Sequence, residues 1–421
     1  MSTSARLSFL KLVLIAILLL ANHAQAQSYK IIHFFTGLED GGLPTDSPTL
    51  DATGNLYGTS SGYFGCGSVF KLSPQPDGTW IETLLSSFCG AEGNIPGSVI
   101  FDKDGNLYGT TSGGGAFGGG IVFKLSPNPD GPWVRTTLHN FAGSPEDGSN
   151  SFGGVVFDAT GNLYGATCGG GSSGMGTVFQ LKPQPDGSWA EKVLYSFRGG
   201  TDGSCPVGSP TFDGAKNNLY GATIDGGINA QCSVLCGTVF QLQRTQGWKE
   251  SVLYSFKGGA DGRLPLAGLT WARPDTLYGT TFEGGTVNGG TVFQMVRSQN
   301  IWSESVIYRF KGPDGFSPQS DLVLDGRSLY GTTFDGGVGH GDFPGGTAFK
   351  LEFSNGQWTE RVLHSFGGPP LDGTFVMSGV ALRRDATGLH IFGMTMRGGP
   401  GECVLGCGVV YEITRQVRSA P

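Results

Sequence analysis

One six-residue phrase recurs along this chain and constrains its fold more than any other feature. It reads NLYGTS at 55–60, NLYGTT at 106–111, NLYGAT at 162–167 and 218–223, TLYGTT at 276–281, SLYGTT at 328–333 and, degenerately, HIFGMT at 390–395. The aromatic residues of successive copies lie 51 to 62 residues apart. A fixed period in this range is typical of tandem-repeat architectures.

Each repeat contains four short strand patterns. In the fifth copy these are LAGLTWA (266–272), TLYGTTF (276–282), GTVFQMV (290–296) and WSESVIYRF (302–310). They are rich in Val, Thr, Tyr and Phe, are bounded by Gly, Asp, Asn or Pro, and leave no room for a helix of three turns. Four antiparallel strands repeated seven times predict an all-β fold, a seven-bladed β-propeller of four-stranded blades.

The two chain ends favour a closed ring over a sandwich or an open solenoid, which would also accept short strands. The seventh copy stops after GVVYEIT (408–414) without a fourth strand, whereas YKIIHFFTG (29–37) matches ERVLHSFGG (360–368) and precedes no complete blade. We therefore expect the N-terminal strand to complete the last blade, which removes the exposed sheet edges. The predicted domain is a single propeller over residues 27–421.

The recurring phrase is predicted to be a hairpin device. In FDATGNLYG (157–165), Asp158 begins a turn, and Gly161 and Asn162 can adopt the positive φ that such a turn requires. Tyr164 then returns on the same face of every blade, where we expect it to pack between blades.

The first 26 residues have the pattern of a secretory signal peptide. Arg6 and Lys11 flank the apolar run LVLIAILLL (12–20), and the small residues Ala24 and Ala26 precede the expected cleavage before Gln27. That run is shorter than a membrane span, and no second run of spanning length follows. We expect a mature chain that is secreted, periplasmic or on the cell surface, with no membrane insertion after cleavage.

Eight cysteines, an even number, fit an exported protein with disulfide bonds. Cys232 and Cys236 share the spacing of Cys403 and Cys407, and we predict a small disulfide loop at each; a metal site is the alternative, although no His partner accompanies either pair. The sequence leaves the pairing of the four remaining cysteines open, and Cys66–Cys89 with Cys168–Cys205 is the pairing that we guess for them.

Composition excludes some functions. Charged residues make up 14% of the chain, and its net charge of −7 becomes −9 without Arg6 and Lys11. A mildly acidic chain without basic clusters is a poor nucleic-acid binder. Low charge with many aromatic and branched residues also argues against disorder.

The repeat unit, FDATGNLYGAT followed by GG, GTVFQL and W-x-EKVLYSF-x-GG-x-DG, resembles the GloVer tandem repeat. The chain is similar over nearly its whole mature length to the choice-of-anchor tandem repeat GloVer-containing proteins. This resemblance implies a secreted or surface bacterial protein and brings no catalytic residues. The chain ends in ITRQVRSAP with no hydrophobic anchor, which departs from the family label.

Two classes of loop are expected on the binding face of the propeller. The loop from strand four to the next strand one carries one acid per copy, and these acids are Asp40, Glu92, Asp147, Asp202, Asp261, Asp314 and Asp372. They form either an acidic rim for a cation or a sugar, or, more plainly, a turn that every blade needs.

The loop between strands two and three adds acids only in copies four to six. We select Asp225, Glu283, Asp335, His340 and Asp342 there as candidate ligand-binding residues. Ca²⁺ takes such oxygen ligands. Because the chain has no D-x-D-x-D-G loop, we expect no cofactor, and Ca²⁺ is the alternative. Aromatic side chains in or beside the loops between strands two and three suit sugar rings, or they cap neighbouring blades; these are Tyr63, Phe64, Phe117, Phe282, Phe334 and Phe343.

These patterns favour a secreted binding or scaffold module for carbohydrate or an extracellular protein. The alternative is a carboxylate-based polysaccharide hydrolase or lyase, because paired carboxylates can act as acid and base. A purely structural envelope component is a third hypothesis. No catalytic residue is identified.

Overall fold

The computed structural model is a seven-bladed β-propeller, which confirms the predicted fold class. It describes residues 27–37, 40–62, 65–227, 235–244, 247–272, 274–338 and 345–416. The predicted signal peptide lies outside the described residues. In each blade, strand one lines the central channel and strand four lies outermost.

The strands of the seven blades, in the order one to four, are as follows. Blade 1 contains Thr49–Leu50, Leu56–Ser60, Gly67–Pro74 and Trp80–Phe88. Blade 2 contains Ile100–Phe101, Leu107–Gly113, Ile121–Ser126 and Val134–Asn140, with Asn94–Pro96 as an added short strand. Blade 3 contains Val156–Phe157, Leu163–Thr167, Thr177–Pro183 and Trp189–Ser196. Blade 4 contains Ser204–Phe212, Asn218–Asp225, Thr238–Arg244 and Trp248–Ser255.

Blade 5 contains Thr270–Ala272, Thr276–Thr281, Thr291–Ser298 and Ile301–Arg309. Blade 6 contains Val323–Asp325, Ser328–Thr333, Thr347–Ser354 and Gln357–Ser365. Blade 7 contains Val380–Arg384, Gly388–Thr395, Val409–Gln416 and Gln27–Phe34. Two short ladders, Gly148–Ser149 with Gly169–Gly170 and Gly373–Thr374 with Arg397–Gly398, lie in loops, as do the 3₁₀ turns Gly90–Glu92, Gly200–Asp202 and Gly259–Asp261.

The N-terminal strand closes the ring as predicted. Gln27–Phe34 pairs antiparallel with Val409–Gln416 and becomes the outermost strand of blade 7. The following residue, Phe35, is fully buried, and its ring lies edge-on to Phe70 of blade 1, with centroids 5.1 Å apart. The chain therefore closes the ring through both a backbone ladder and a side-chain contact.

Each letter of the recurring phrase has a structural role, shown by blade 3. Asp158 accepts a hydrogen bond from the Asn162 side chain (2.8 Å) and from the Tyr164 hydroxyl (3.0 Å). Gly161 has the expected positive φ of +86°, whereas Asn162 stays at negative φ and acts through its side chain. Leu163 is fully buried in the core.

The Tyr of the phrase packs between blades, as expected. Tyr164 meets Phe212 and Trp248 of blade 4, with ring centroids 5.1 and 5.8 Å away. The Gly that follows this Tyr is paired across the strands with an aromatic residue of strand three. Because this Gly has no side chain, it leaves room for the aromatic ring. In blade 4, a Cβ added to Gly221 would lie 2.5 Å from Cζ of Phe240, closer than van der Waals contact allows.

We predict that Phe35→Ala lowers the stability of the mature chain by about 3–5 kcal/mol, the usual cost of removing a buried phenylalanine. Phe34→Ala is the matched control, because this neighbouring ring is 39% exposed. Thermal and denaturant unfolding of both variants measures the difference. Equal melting of the two variants would show that Phe35 does not contribute to closure.

We also predict that Gly221→Ala destabilises the chain by about 1–3 kcal/mol, because the added methyl group overpacks against Phe240. Gly247→Ala in the same blade is the control, since nothing lies within 4 Å of its Cβ position. Urea unfolding at constant pH compares the two variants, and an unchanged midpoint for Gly221→Ala would contradict the packing argument.

Candidate functional site

The seven first strands converge on a cavity of about 270 Å³ at one end of the central channel. Every blade contributes at least one lining residue, including Asp46, Ser98, Phe152, Ser209, Ala267, Asp321 and Met377. The cavity opens on the face that carries the loops from strand four to strand one, the face that the sequence favoured for binding. We call it the channel mouth.

The entry to strand one has the same unusual backbone in all seven blades. One non-glycine residue there has φ between +53° and +58°, and these residues are Leu43, Ile95, Asn150, Cys205, Leu264, Ser317 and Phe375. Such left-handed residues are uncommon and need support from their surroundings. That support crosses between blades: the Asn150 N–H, for example, donates to the Gly119 carbonyl of blade 2 at 2.8 Å. A repeated bracing contact therefore holds the channel mouth.

Two carboxylates in the channel mouth break the seven-fold symmetry. Asp46 comes from blade 1 and Asp321 from blade 6. Asp321 Oδ1 accepts a hydrogen bond from the Gly268 N–H at 2.6 Å, and Asp46 accepts one from the Ser98 N–H. Both residues are partly accessible from the channel and are otherwise surrounded by protein.

Burial favours the protonated form of both acids, and the charge of Asp321 adds to this effect on Asp46. Desolvation raises the pKa of Asp46 to about 7, and the negative charge of Asp321 adds to that shift. Desolvation also raises the pKa of Asp321. A buried carboxyl group next to another one disfavours the charged form for both reasons. Near pH 7 the Asp46 carboxyl group can therefore either donate or accept a hydrogen bond.

Apolar side chains at the cavity stay exposed beside these acids. Phe152 is 51% and Ile95 42% exposed. The Gln319 side chain also lines the channel mouth, and its Nε2 atom is buried without a hydrogen-bond partner among the described residues. Polar groups thus lie inside the cavity, and an aromatic ring lies beside them.

The sequence analysis missed Asp46 and Asp321, although a signal was available. The residues of strand one that align with Asp321 are Ser47, Ser98, Gly154, Ser209, Gly268 and Gly379. Those that align with Asp46 are Gly97, Gly153, Gly208, Ala267, Ser320 and Ser378. An acid at a position where the other copies have small residues departs from the repeat, and this departure is the signal that marks both residues.

Two of the three described acids in the loops between strands two and three contact residues of their own blades. Asp225 Oδ1 accepts from the N–H groups of Gly226 (2.9 Å) and Leu235 (2.8 Å). Glu283 forms an ion pair with Arg263. Asp335 has a buried Oδ1 atom without a partner among the described residues, and burial raises its pKa.

None of these three lines the channel mouth, and His340 and Asp342 lie outside the described residues. Within the part of the chain that the structure describes, no group of three or more His, Cys, Asp or Glu side chains could hold a metal ion. Phe282, Phe334 and Phe375 pack in a row across blades 5 to 7, with centroids 6.5 and 5.1 Å apart.

The acids of the loop from strand four to strand one are parts of the loop itself. Asp202, for example, accepts hydrogen bonds from the Arg198 N–H (2.8 Å) and the Tyr195 hydroxyl (2.6 Å). Backbone N–H groups of their own loops bind the carboxylates of Asp40, Asp147, Asp202, Asp261, Asp314 and Asp372. Glu92 instead pairs with Arg135 of the next blade at 2.7 Å. The repeated acid is therefore a structural feature of each blade.

Sequence comparison assigns the chain to a repeat family. The profile of the Gloeobacter/Verrucomicrobia repeat matches residues 21–235 and 231–419. The chain belongs to the Gloeobacter/Verrucomicrobia repeat family. A search of curated proteins by sequence gives no significant match.

Solved structures resemble this family member in fold alone. A protein from Lactobacillus plantarum has 15% identity and a TM-score of 0.51, covering 81% of this chain and 96% of its own. A hypothetical selenium-binding protein from Sulfolobus tokodaii has 11% identity and a TM-score of 0.50, covering 79% and 78%. The periplasmic gluconolactonase of Pseudomonas aeruginosa has 14% identity and a TM-score of 0.48, covering 89% and 99%.

Disulfide bonds join Cys66 to Cys89, Cys168 to Cys205 and Cys403 to Cys407, the pairs that were expected. Cys236 is also disulfide-bonded, and its expected partner Cys232 lies outside the described residues. These bonds are compatible with an extracellular or periplasmic protein of the Gloeobacter/Verrucomicrobia repeat family. No helix among the described residues is long and apolar enough to cross a membrane.

A second set of repeated carboxyl groups lies between blades on strand four. Glu250 of blade 4 faces Asp202 and Tyr195 of blade 3, and its Oε1 atom is buried without a partner among the described residues. Desolvation, with a contribution from the loop acid of the preceding blade, raises the pKa of five such glutamates to about 7; these are Glu82, Glu191, Glu250, Glu304 and Glu360. The contacts between the outer strands of neighbouring blades therefore contain carboxyl groups whose protonation changes near pH 7.

We predict that the chain is less stable at pH 8 than at pH 5. Because the pKa of these glutamates rises on folding, the folded state binds their protons more tightly. That stabilisation is complete below their ordinary pKa of 4.5 and is lost as the pH rises through about 7.

Glu250→Gln, which cannot ionise, should raise the melting temperature at pH 8 by about 2 °C and change it little at pH 5. The exposed Glu146→Gln is the control. Scanning calorimetry at both pH values tests this, and an equal response of the two variants would contradict it.

Proposed function

We propose that this propeller binds a carbohydrate, with one sugar unit seated in the channel mouth. The observation that carries this proposal is the combination of Asp46, Asp321 and the exposed ring of Phe152 in one cavity. Sugar hydroxyl groups donate to carboxylates, and the C–H face of a sugar ring packs on an aromatic side chain. Ligand sites in proteins generally combine apolar walls with a few fixed polar groups.

The other lining residues fit the same chemistry. Ser98 and Ser209 supply hydroxyl groups that both donate and accept hydrogen bonds, and Gln319 supplies an amide without a protein partner for its Nε2 atom. The cavity is small and closed by strand one of every blade, so it suits the end of a glycan better than the middle of a long chain. This proposal keeps carbohydrate as the ligand of the secreted binding module that the sequence predicted. It places the ligand against residues of the channel mouth instead of the predicted loop acids.

We predict that Asp321→Asn and Phe152→Ala each weaken binding of the sugar about tenfold. The first replaces a hydrogen-bonding carboxyl group, and leaving a buried hydrogen-bond partner unsatisfied costs roughly 1–3 kcal/mol. The second removes the aromatic ring on which the sugar packs. Asp335→Asn is the matched control, since it is a half-buried acid that lies outside the cavity. Retention on insoluble polysaccharides selects the ligand, and calorimetric titration then measures the affinity of each variant. A ligand that binds all of these variants as tightly as the native chain would overturn the proposed site.

The pH dependence of this binding follows from Asp46. Ionised Asp46 is the stronger hydrogen-bond acceptor, and the pKa of this group lies at about 7. Affinity should therefore increase as the pH rises through 7, and Asp46→Asn should remove that increase. Titrations at pH 5.5 and 8.5 test this, and an Asp46→Asn variant with the native pH dependence would exclude Asp46 as its source.

A second candidate function is acid–base catalysis at the same pair. Glycoside-cleaving enzymes use two carboxyl groups, one kept protonated by a raised pKa as the acid and the other ionised as the base or nucleophile. Release of reducing ends from the polysaccharide that the native chain retains tests this function. Turnover that Asp46→Asn and Asp321→Asn abolish would favour the enzyme, whereas retention without turnover favours the binding module.

A further inference from the structure

A second cavity, of about 190 Å³, lies between blades 5 and 6 on the opposite face of the propeller. The turn from strand one to strand two and the turn from strand three to strand four of blade 6 form its edge. Its principal lining residues are Tyr278, Gln294, Leu324, Arg327, Phe353 and Trp358. We call it the inter-blade cavity, and it is independent of the channel mouth.

A leucine at a position that is aromatic in blades 2 to 5, and leucine also in blades 1 and 7, leaves this cavity open. In blades 2 to 5, strand one places an aromatic ring against the phrase Tyr of the preceding blade, as Phe212 does on Tyr164 (5.1 Å) and Trp271 on Tyr220 (5.3 Å). In blade 6 the aligned residue is Leu324. The smaller side chain leaves the space beside Tyr278 unfilled.

A second substitution leaves the Tyr278 hydroxyl without its usual acceptor. In blades 1 to 3 this hydroxyl donates to the turn aspartate, as Tyr164 does to Asp158 at 3.0 Å. The residue of blade 5 that aligns with Asp158 is Ala272, which itself lines the cavity. The described contact of the Tyr278 hydroxyl is with Gln294 Nε2 at 3.5 Å, at the limit of a hydrogen bond.

The walls combine aromatic rings with one positive charge. Trp358 stands edge-on to Tyr278 with centroids 5.6 Å apart, and Phe353, which is 39% exposed, lies 5.2 Å from Trp358. Arg327 is exposed at the edge, and no ion pair joins its guanidinium to another residue in the described ranges. Asp325, two residues earlier, pairs instead with Arg384.

This combination indicates the chemistry of a ligand. An engineered apolar cavity of about 150 Å³ takes up benzene, so the inter-blade cavity has room for one six-membered ring. The guanidinium group pairs with carboxylates through two parallel hydrogen bonds. The Tyr278 hydroxyl and the Gln294 amide can each hydrogen-bond a ring substituent.

We propose that the inter-blade cavity binds a single six-membered ring that bears a carboxylate, with the ring against Trp358 and Phe353 and the carboxylate on Arg327. Two sources share this chemistry, a uronic acid at the end of an acidic glycan and a free aromatic carboxylate. The proposal does not rest on the carbohydrate site in the channel mouth.

Calorimetric titration of the mature chain with methyl glucuronide, methyl glucoside and benzoate tests the proposal. We expect the glucuronide or the benzoate to bind at least tenfold more tightly than the neutral glucoside, and the tighter of the two identifies the source. Binding of neither carboxylate, or equal binding of the glucuronide and the glucoside with no binding of benzoate, would overturn the proposal.

Variants separate this site from a general charge effect. Arg327→Gln should remove the preference for the carboxylate, whereas the exposed Arg361→Gln on the same blade should not change it. Leu324→Phe restores the aromatic residue of the repeat and should abolish binding by filling the cavity. Asp321→Asn, in the channel mouth, should leave this binding unchanged. Because Arg327 is exposed, the Arg327→Gln variant is expected to fold. If Arg327→Gln and Arg361→Gln lower the affinity equally, the carboxylate does not bind at Arg327 and the proposed site is wrong.

Discussion

Contact between aromatic rings of neighbouring blades is the interaction on which the rest of this structure depends. The last aromatic residue of strand four packs against the aromatic residue of strand three in the next blade at all seven interfaces, with centroids 4.6 to 5.1 Å apart. Rings at this separation contribute beyond their buried area. The ring on strand three needs a glycine opposite it on strand two, which is why Tyr is followed by Gly in every copy but the last, where Phe392 precedes Gly393.

The repeat also determines how much of the fold and of the candidate site could be predicted from the sequence. Blade number, strand order and ring closure follow from residues that every copy repeats, so one copy checks another. Asp202 and the equivalent aspartates are repeated too, because each accepts hydrogen bonds from its own loop. The residues that distinguish one blade from another are single substitutions such as Asp46 and Asp321. Their neighbours come from other blades, and no spacing along the chain brings them together.

Carboxyl groups in this protein fall into two environments with opposite effects on pKa. Burial alone would raise the pKa of Asp158, but hydrogen bonds from Asn162 and Thr160 outweigh it and hold the pKa at about 2. Asp46 and Glu250 receive too few hydrogen bonds to offset burial, and their pKa values rise to about 7. Hydrogen-bond donors, more than depth, therefore decide which acids stay ionised at neutral pH. The acids with few donors are those that a ligand or a change in pH can affect.

The channel mouth also depends on ring closure. Asp321 in blade 6 and Asp46 in blade 1 flank blade 7, whose outermost strand is the N-terminal segment Gln27–Phe34. Blade 7 connects to blade 1 beside the site, where the Gly379 N–H donates to Ser47 Oγ at 3.0 Å. The two carboxylates come from segments about 275 residues apart and meet only when the first strand of the chain has paired with the last. An open ring would leave Asp46 and Asp321 apart, without the mutual repulsion that adds to the raised pKa of Asp46. Closure thus does more than protect sheet edges in this propeller, because it brings together Asp46 and Asp321, two acids that the other copies of the repeat lack at these positions.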